Sequence, residues 1–337
     1  MHALLYAALV ATIAARARAW LLPLQLKTTH TTACRAATPS PPERECKTAL
    51  VTGASRGLGL AVATLLVQQD YHVILTARSE ADGLKAASDL SAHCQGTGEI
   101  TFRQLDVSSP DSIKHFATQC LPTLPSGSLT AVFNNAGVCL PGADIATLQY
   151  SLGVNFYGPL RVMEACLPFM DEEGVVVNVS SGDGELLWLN SDIAEALRQA
   201  QTVQDVRAAA DDILQRAALD PGAELAFGAT PAYSVSKALL NAAVRCRHGI
   251  PYAPDPAEGA LNAGRASSRG GGSTAQRPAV IAVCPGDVRT LMASEEEAQR
   301  EGVLSALEAA AHVVGLATWR ERTAGGLFYR YGAVIPW

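Results

Sequence analysis

The feature that most constrains this chain is the stretch from Lys47 to Gln69, KTALVTGASRGLGLAVATLLVQQ. Residues 48–52 are apolar and rich in β-branched side chains, which is typical of a buried strand, and residues 61–67 are apolar on all sides, like a helix packed on a parallel sheet. Between them lie Gly53, Gly57 and Gly59. Such a turn presents backbone N–H groups and the positive end of a helix dipole to a pyrophosphate. The stretch predicts a dinucleotide site, although plain tight turns use the same glycines.

Composition excludes several classes of function. With 337 residues, 48% of them hydrophobic, the chain can bury one large core or two smaller ones. The net charge of −6 is mild and the charged residues are scattered, so we expect no nucleic-acid partner. The eight cysteines form no Cys-x-x-Cys pair and have no histidine at ligand spacing. We therefore expect buried, reduced thiols and no metal site.

Residues 1–42 contain no Asp or Glu and differ from the rest of the chain. An apolar core over residues 3–15 is too short to span a bilayer before Arg16 and Arg18, which is typical of a signal peptide ending near residue 19. Residues 20–42 are rich in Thr, Ala and Pro, like a transit peptide. This resembles the two-part presequence of algae with secondary plastids, and predicts a plastid protein without a stable membrane span in the mature chain. A membrane anchor, the secretory pathway, a mitochondrial presequence and a cytoplasmic location remain open.

Two arginines bear on the choice of cofactor. In dinucleotide folds an acid at the end of the second strand holds the adenosine ribose hydroxyls. Here the second apolar segment, residues 71–76, is followed by Arg78, and Arg56 lies inside the glycine turn. Guanidinium groups suit a phosphate monoester in charge and geometry, so the pair favours NADP(H) over NAD(H). Either arginine alone would be an ordinary solvated charge.

Four further apolar segments read as strands that end in polar or turn-forming residues. Residues 99–105 lead into Asp106 and Val107, residues 129–134 into Asn135-Ala136-Gly137, residues 174–181 end at Ser181, and residues 280–283 precede Cys284-Pro285-Gly286. A helix near 303–318 and a strand near 326–336 close the chain. Strands alternating with helices predict an α/β fold: a single Rossmann-like, doubly wound parallel sheet with helices on both faces, whose strand ends bind ligands.

Two predicted helices carry residues that suit proton chemistry. A helix over 151–170 contains Asn155, which is a poor residue for a helix interior because its amide competes for backbone hydrogen bonds. A helix over 231–247 carries Tyr233 and Lys237, four apart and therefore on one face. A nearby ammonium stabilises the anion of a phenol whose pKa is ordinarily about 10. The pair alone is a weak signal, since many helix surfaces carry one.

Taken together, these motifs resemble the short-chain dehydrogenase/reductase family. The spacing Gly-x-x-x-Gly-x-Gly, Asn134 to Gly137, Asn155, Ser181, Tyr-x-x-x-Lys and Pro285-Gly286 carry the resemblance. It implies that Ser181 holds a substrate carbonyl, Tyr233 donates a proton, Lys237 supplies charge, and Asn155 positions a water in a proton relay. It also implies cofactor contacts from Gly53, Ser55, Arg56, Gly57, Leu58, Gly59, Arg78, Asp106, Val107, Asn135, Ala136, Gly137, Tyr233, Lys237, Pro285, Gly286, Val288 and Thr290.

Two insertions interrupt the family domain, which we place at residues 47–337. The first, about 186–228, carries helical patterns near 192–200 and 203–218; the second, about 248–277, is rich in Gly, Pro and Ser and predicts a disordered loop. A long insertion between the serine and the tyrosine resembles carbonyl reductases and their menthone- and salutaridine-reductase-like relatives, which implies a monomer. Residues 186–189 form either an apolar wall of the substrate site or an anchor for the insertion.

The resemblance implies NADPH-dependent reduction of a small-molecule ketone, aldehyde or quinone to the alcohol. Asp287, which follows Pro285-Gly286 where relatives often carry an apolar or aromatic residue, puts the polarity of the substrate pocket in question. Two alternatives remain open: a specialised pigment or terpenoid dehydrogenase/reductase, and a non-catalytic protein that senses NADP(H).

Overall fold

The computed structural model describes residues 47–94, 98–124, 128–250, 252, 278–288, 303–318 and 324–335. Residues 47–337 form one compact unit. The predicted presequence, most of the predicted loop at 248–277, and Thr290 lie outside the described residues. Among the residues described, no helix is both long and apolar enough to cross a membrane.

Eight strands form one sheet in the order β3-β2-β1-β4-β5-β6-β7-β8. Neighbours from β3 to β7 pair in parallel, and only the last pair, β7 with β8, is antiparallel. This confirms the predicted doubly wound, Rossmann-like sheet. The strands are β1 Thr48–Val51, β2 His72–Ala77, β3 Ile100–Gln104, β4 Leu129–Asn134, β5 Met170–Val179, β6 Ala279–Cys284, β7 Phe328–Arg330 and β8 Ala333–Val334.

The last strand of the sequence prediction, over residues 326–336, is wrong in detail. The chain turns back at Tyr331 and Gly332, whose φ angles are 51° and 77°, and forms the β7–β8 hairpin instead of one strand. Positive φ angles at two successive residues are what a tight hairpin turn requires. The turn gives the sheet its antiparallel edge.

Nine α-helices are described, and most match the sequence patterns. The helix predicted over 231–247 has those bounds, whereas the one predicted over 151–170 begins earlier and is broken by a π-helical turn at Gly153–Tyr157 that contains Asn155. The helices are α1 Gly57–Gln68, α2 Glu80–His93, α3 Pro110–Gln119, α4 Ile145–Leu152, α5 Gly158–Cys166, α6 Ser191–Gln199, α7 Val203–Leu219, α8 Pro231–Arg247 and α9 Ala306–Thr318.

The core consists of two apolar clusters, one on each face of the sheet. Alternate strand residues point to opposite faces, so Leu50 joins the cluster beneath α3, α4, α5 and α8, and Val51 joins the one beneath α1, α2 and α9. The central strands are buried on both sides, as expected of a parallel sheet. Helix α8 is buried along most of its length. The side chains at its N-terminus are therefore fixed by the core.

The sheet order places a crevice between β1 and β4. The chain leaves β1 toward one edge of the sheet and continues from β4 toward the other, and open α/β sheets bind ligands at such a switch point. The glycine turn follows β1, and Asn135 to Gly137 follow β4. Both segments therefore line the same crevice.

Candidate active site

The glycine turn after β1 packs closely on the segment after β4 and leaves the start of α1 without a side-chain cap. Gly53 and Gly57 have φ angles of 63° and 59°, which L side chains rarely adopt. A Cβ atom on Gly59 would lie 2.4 Å from Nδ2 of Asn135. Arg56, which precedes α1 in an extended conformation, provides no capping hydrogen bond. The N–H groups at the start of α1 are thus left to an external acceptor, as a pyrophosphate site requires.

Asn135 and Ala136 hold the glycine turn in place. Oγ1 of Thr52 accepts hydrogen bonds from the backbone N–H groups of both residues, each at 3.0 Å. Nδ2 of Asn135 donates to the carbonyls of Thr52 at 2.9 Å and Gly53 at 3.1 Å. Asn135, predicted as a cofactor contact, therefore acts here as a brace for the turn. The Nδ2 group is thus occupied by the protein, and a contact between Asn135 and the cofactor stays a prediction.

The adenosine end of the crevice carries two exposed cations. The N–H of Ala54 donates to the carbonyl of Thr76 at 2.8 Å, which ties the glycine turn to the end of β2, two residues before Arg78. Nη1 of Arg78 donates to the hydroxyl of Tyr150 at 3.0 Å. Within the described part of the chain, no ion pair involves Arg56 or Arg78. Both guanidinium groups remain available to an anion.

The remaining predicted cofactor residues follow the other strand ends. Oδ1 of Asp106 accepts from the N–H and the hydroxyl of Ser108, at 2.9 and 2.7 Å, so the carboxylate shapes the turn after β3. Val107 is buried beside it. After β6, Gly286 has a φ of 82°, and a Cβ atom there would lie 2.2 Å from the hydroxyl of Tyr331. The other residues of this set are Ser55 and Leu58 in the glycine turn, and Pro285 and Val288 after β6.

Tyr233 and Ser181 meet at the reaction centre. Tyr233 lies in the first turn of α8, and Ser181, which follows β5, lies close enough to act on the ionisation of its phenol. Oγ of Ser181 accepts a hydrogen bond from the N–H of Asp183 at 3.2 Å. Burial raises the pKa of Tyr233 above its ordinary value, while the neighbouring Ser181 side chain acts in the opposite direction. The phenol is therefore held as a protonated donor.

Lys237 lies one helical turn further along α8 and is 4% exposed. Its Nζ is 5.7 Å from the ring centroid of Tyr233 and donates to the carbonyl of Val179 at 2.7 Å. Burial lowers the pKa of Lys237 to about 8. The ammonium thus persists at neutral pH but titrates within reach of physiological conditions.

Asn155 ties the segment after β4 to the catalytic helix. Its Oδ1 accepts from the N–H of Val138 at 2.9 Å, and its Nδ2 donates to the carbonyl of Val138 at 2.8 Å and to Oγ of Ser236 at 2.9 Å. Ser236 in turn donates to the carbonyl of Tyr233 at 2.7 Å. The side chain is therefore a structural link here. That Asn155 positions a water stays a prediction.

Gly137 connects the cofactor crevice to the reaction centre. A Cβ atom there would lie 3.3 Å from Oδ1 of Asn155 and 3.6 Å from Nζ of Lys237. The structure thus brings Asn155, Ser181, Tyr233 and Lys237 to one end of the crevice that starts at the glycine turn. Among the residues described, no group of three His, Cys, Asp or Glu side chains could hold a metal ion.

Sequence reasoning missed a polar clamp behind Ser181. Nη2 of Arg330 pairs with Oε1 of Glu185 at 2.7 Å, and both side chains are largely buried. Gly184 packs against Lys237, because a Cβ atom there would lie 2.9 Å from its backbone carbon. The only sequence signal for this ion pair was the charged residue Glu185 close to Ser181, because its partner Arg330 lies 145 positions further along the chain.

The apolar segment after Ser181 divides into two parts. Leu186 and Leu189 are buried, which supports the view that they anchor the insertion, whereas Leu187 and Trp188 are 62% and 41% exposed. Phe227, 46% exposed, donates its N–H to the carbonyl of Trp188 at 2.8 Å. Leu187, Trp188 and Phe227 thus expose apolar surface on the insertion, and these three residues are called the apolar lip below.

Comparison with known proteins agrees with this geometry. Residues 47–191 match the family model described as short chain dehydrogenase. A (+)-neomenthol dehydrogenase of Arabidopsis thaliana is 29% identical over 314 residues, covering 83% of this chain and 95% of that protein. Carbonyl reductase (NADPH) 3 of Rattus norvegicus is 36% identical over 143 residues, covering 41% of this chain and 50% of that protein.

Solved structures of other proteins have the same fold as this chain. Salutaridine reductase from Papaver somniferum superimposes with a TM-score of 0.65 at 24% sequence identity, covering 84% of this chain and 99% of that one. The family match spans β1 to β5 and the segment carrying Ser181, and the similarity to the relative from Arabidopsis extends well beyond it. Residues 47–191 thus belong to the short-chain dehydrogenase/reductase family of oxidoreductases, and the similarity to the oxidoreductase from Arabidopsis extends over 83% of the chain.

Proposed function

We propose that this enzyme reduces a small-molecule carbonyl compound to the alcohol with NADPH. The observation that carries the proposal is the meeting of the Tyr233 hydroxyl, the Ser181 hydroxyl and the buried Lys237 ammonium at the end of a crevice that begins at the glycine turn. A proton donor, a carbonyl-holding hydroxyl and a fixed positive charge are what such a reduction requires from the protein.

The residues of the crevice suit NADP(H). The glycine turn and the start of α1 would hold the pyrophosphate, and Arg56 and Arg78 would face a 2′-phosphate without competition from a carboxylate. The similar carbonyl reductase of Rattus norvegicus is named for NADPH, which supports the same choice. When bound, the cofactor supplies the hydride to the carbonyl carbon.

The protein's own residues manage the proton. Ser181 would bind the carbonyl oxygen next to Tyr233, and the Tyr233 hydroxyl would give that oxygen its proton as the carbon is reduced. The tyrosinate left behind would be stabilised by the Lys237 ammonium one helical turn away. Asn155 would keep Val138 and α8 in register throughout, because its amide binds both.

The apolar lip supports a carbonyl substrate with a sizeable apolar body. Leu187, Trp188 and Phe227 expose apolar surface on the insertion that follows Ser181, and apolar walls with few polar groups are usual in small-molecule sites. Similarity to a neomenthol dehydrogenase favours a terpenoid-specific enzyme as the second candidate. A quinone, an aromatic aldehyde and a cyclic terpenone would all meet these requirements.

Two further parts of the proposal concern the whole protein. The composition of residues 1–42 supports import into a plastid, which a fluorescent fusion of those residues in an alga would test.

The helices α6 and α7 of the insertion support a monomer, which light scattering on the purified chain would test. A cytosolic or secreted fusion, or a stable dimer, would contradict these two points.

Turnover assays test the reaction itself. The mature chain, starting near Glu43, would be mixed with NADPH or NADH and a panel of quinones, diketones, aromatic aldehydes and cyclic monoterpenones. Broad turnover with NADPH supports a general carbonyl reductase, and turnover of a single cyclic ketone supports the terpenoid enzyme. Tight NADPH binding with no turnover of any carbonyl would instead favour a sensor.

A further inference from the structure

A tyrosine outside the family motifs lies at the adenosine end of the crevice. Tyr150 belongs to α4, 72 positions along the chain from Arg78, and its hydroxyl accepts a hydrogen bond from Nη1 of Arg78 at 3.0 Å. We propose that Tyr150 is a determinant of cofactor specificity, which orients Arg78 and donates a hydrogen bond from its own hydroxyl to the 2′-phosphate of NADP(H). This inference rests on the NADP(H) preference proposed above.

Arg78 is fixed at both ends. Its backbone carbonyl accepts from Nε2 of Gln104 at 3.0 Å, and its guanidinium group is held by Tyr150. A long arginine side chain on a surface normally loses conformational entropy when it binds a ligand. The hydrogen bond from the guanidinium group to Tyr150 reduces that loss, and the bond from Gln104 fixes the backbone from which the side chain starts. Arg78 is therefore partly preorganised for an anion.

A tyrosine hydroxyl suits this position better than the usual partner of an arginine. A carboxylate would bind Arg78 strongly and cancel the charge that a phosphate needs. The neutral phenol accepts from Arg78 and keeps its own O–H group free to donate. A phosphate monoester would thus meet the charge of Arg78 and a phenol proton together, whereas the 2′-hydroxyl of NAD(H) offers no charge to either.

The packing of α4 explains why Tyr150 reaches this site. The helix buries Leu148, Ser151 and Leu152 against the core, so Tyr150 lies on its outer side and is 39% exposed. Leu148 and Leu152 fix the orientation of the helix, and the tip of the Tyr150 side chain is bound to the end of β2. The hydroxyl is therefore anchored by a buried helix and remains accessible to a ligand.

Binding of two nucleotides that differ in one phosphate tests the inference without turnover. Isothermal titration calorimetry would compare adenosine 2′,5′-bisphosphate with adenosine 5′-monophosphate on the mature chain and on Tyr150→Phe. We expect Tyr150→Phe to weaken binding of the bisphosphate about tenfold and to leave the monophosphate within about twofold. The matched control is Tyr157→Phe, which removes a hydroxyl bound to Asp211 at 3.1 Å and should change neither affinity.

The outcomes separate the two proposals. If the unmodified chain binds both nucleotides equally, the preference for NADP(H) is wrong and the role of Tyr150 falls with it. If the chain prefers the bisphosphate and Tyr150→Phe keeps the full preference, only the role of Tyr150 is wrong. If Tyr150→Phe weakened the binding of both nucleotides equally, the proposed role of Tyr150 would also be wrong, because its hydroxyl would then not act on the 2′-phosphate. Matching thermal unfolding midpoints would show that each variant is folded.

Discussion

The two ends of the crevice are built in opposite ways. At the reaction end, Asn155 and Lys237 are 0% and 4% exposed, and each is bound to backbone carbonyls. At the adenosine end, Arg56 and Arg78 lie in solvent, and Tyr150 holds Arg78 by a single hydrogen bond. Chemistry at one end depends on fixed, desolvated groups, whereas recognition at the other depends on accessible charge. We therefore expect mutations at the two ends to differ in size and in salt dependence.

The largest effect should come from Tyr233→Phe at the reaction end. The change removes the proton donor and leaves the ring, so NADPH-dependent reduction of the best carbonyl should fall at least about 100-fold. Loss of reduced nicotinamide absorbance measures the rate. Binding of adenosine 2′,5′-bisphosphate should be unchanged, because that nucleotide does not reach α8. Unchanged turnover in the variant would contradict the proposed chemistry.

The next effect should appear at the adenosine end. Replacing both Arg56 and Arg78 with Gln should raise the KM for NADPH by about 100-fold, because each removes a charge-assisted bond to the phosphate. The KM for NADH should change little. The preference of the unmodified enzyme for NADPH should also shrink as salt is raised, since both cations are exposed. A double variant that still prefers NADPH to NADH would contradict the proposed role of these two arginines.

A smaller effect should follow from the titration of Lys237. Because burial lowers its pKa to about 8, the ammonium is lost as pH rises through that value, and kcat/KM for reduction should fall about fivefold between pH 8 and pH 9. Tyr233 stays protonated over this range, since burial raises its pKa. Lys237→Arg, whose side chain keeps its charge, should lose this fall. A flat profile in the unmodified enzyme would indicate that the charge is not needed.

The smallest effect on activity should come from His248, just beyond the far end of α8. Its Nε2 accepts from the N–H of Val280 at 3.2 Å, and burial, aided by the charge of Arg247, lowers its pKa to about 4. Between about pH 6.5 and pH 4 the unfolded chain binds a proton that the folded chain does not, so stability falls on acidification by at most about 3 kcal/mol. Urea unfolding at several pH values measures this.

His248→Gln provides the control for that measurement. Glutamine keeps an acceptor for Val280 and cannot titrate, so its unfolding free energy should depend less on pH. Activity at neutral pH should be close to that of the unmodified chain, because the change lies away from Tyr233. If the unfolding free energy of His248→Gln fell with acid as much as that of the unmodified chain, the loss of stability would come from other groups. Candidates are His72 and His312, whose pKa values are also lowered by burial.

Local patterns predicted those parts of the molecule whose cause is local. The bounds of β4 and α8 agree with the segments predicted at 129–134 and 231–247, and the glycine turn lies between a buried strand and a helix, as predicted. Tyr233 and Lys237 share a helix, so their spacing alone predicts that they lie together. The family resemblance was needed to connect this pair with Ser181 and Asn155, because those residues meet only through the sheet.

Features that depend on tertiary contacts could not be read in this way. The π turn around Asn155 follows from hydrogen bonds to Val138 and Ser236, which no local pattern reveals. The ion pair of Glu185 and Arg330 joins the residue just before the insertion to the last parallel strand, β7. Leu186 and Leu187 are identical in type, yet one is buried and the other exposed, since only the packing of the insertion distinguishes them.

The π turn also determines how this part of the chain can change in length. A residue in a π turn rotates the chain by less than the about 100° of an α-helix, so residues 153–157 accommodate one extra residue while α4 and α5 stay in phase. Removing one residue from 153–157 would therefore restore a regular helix and leave Leu160 and Met163 facing the core. The same deletion would remove the widened turn from which Asn155 binds both Val138 and Ser236. A single-codon deletion here should thus spare the fold and damage the active site.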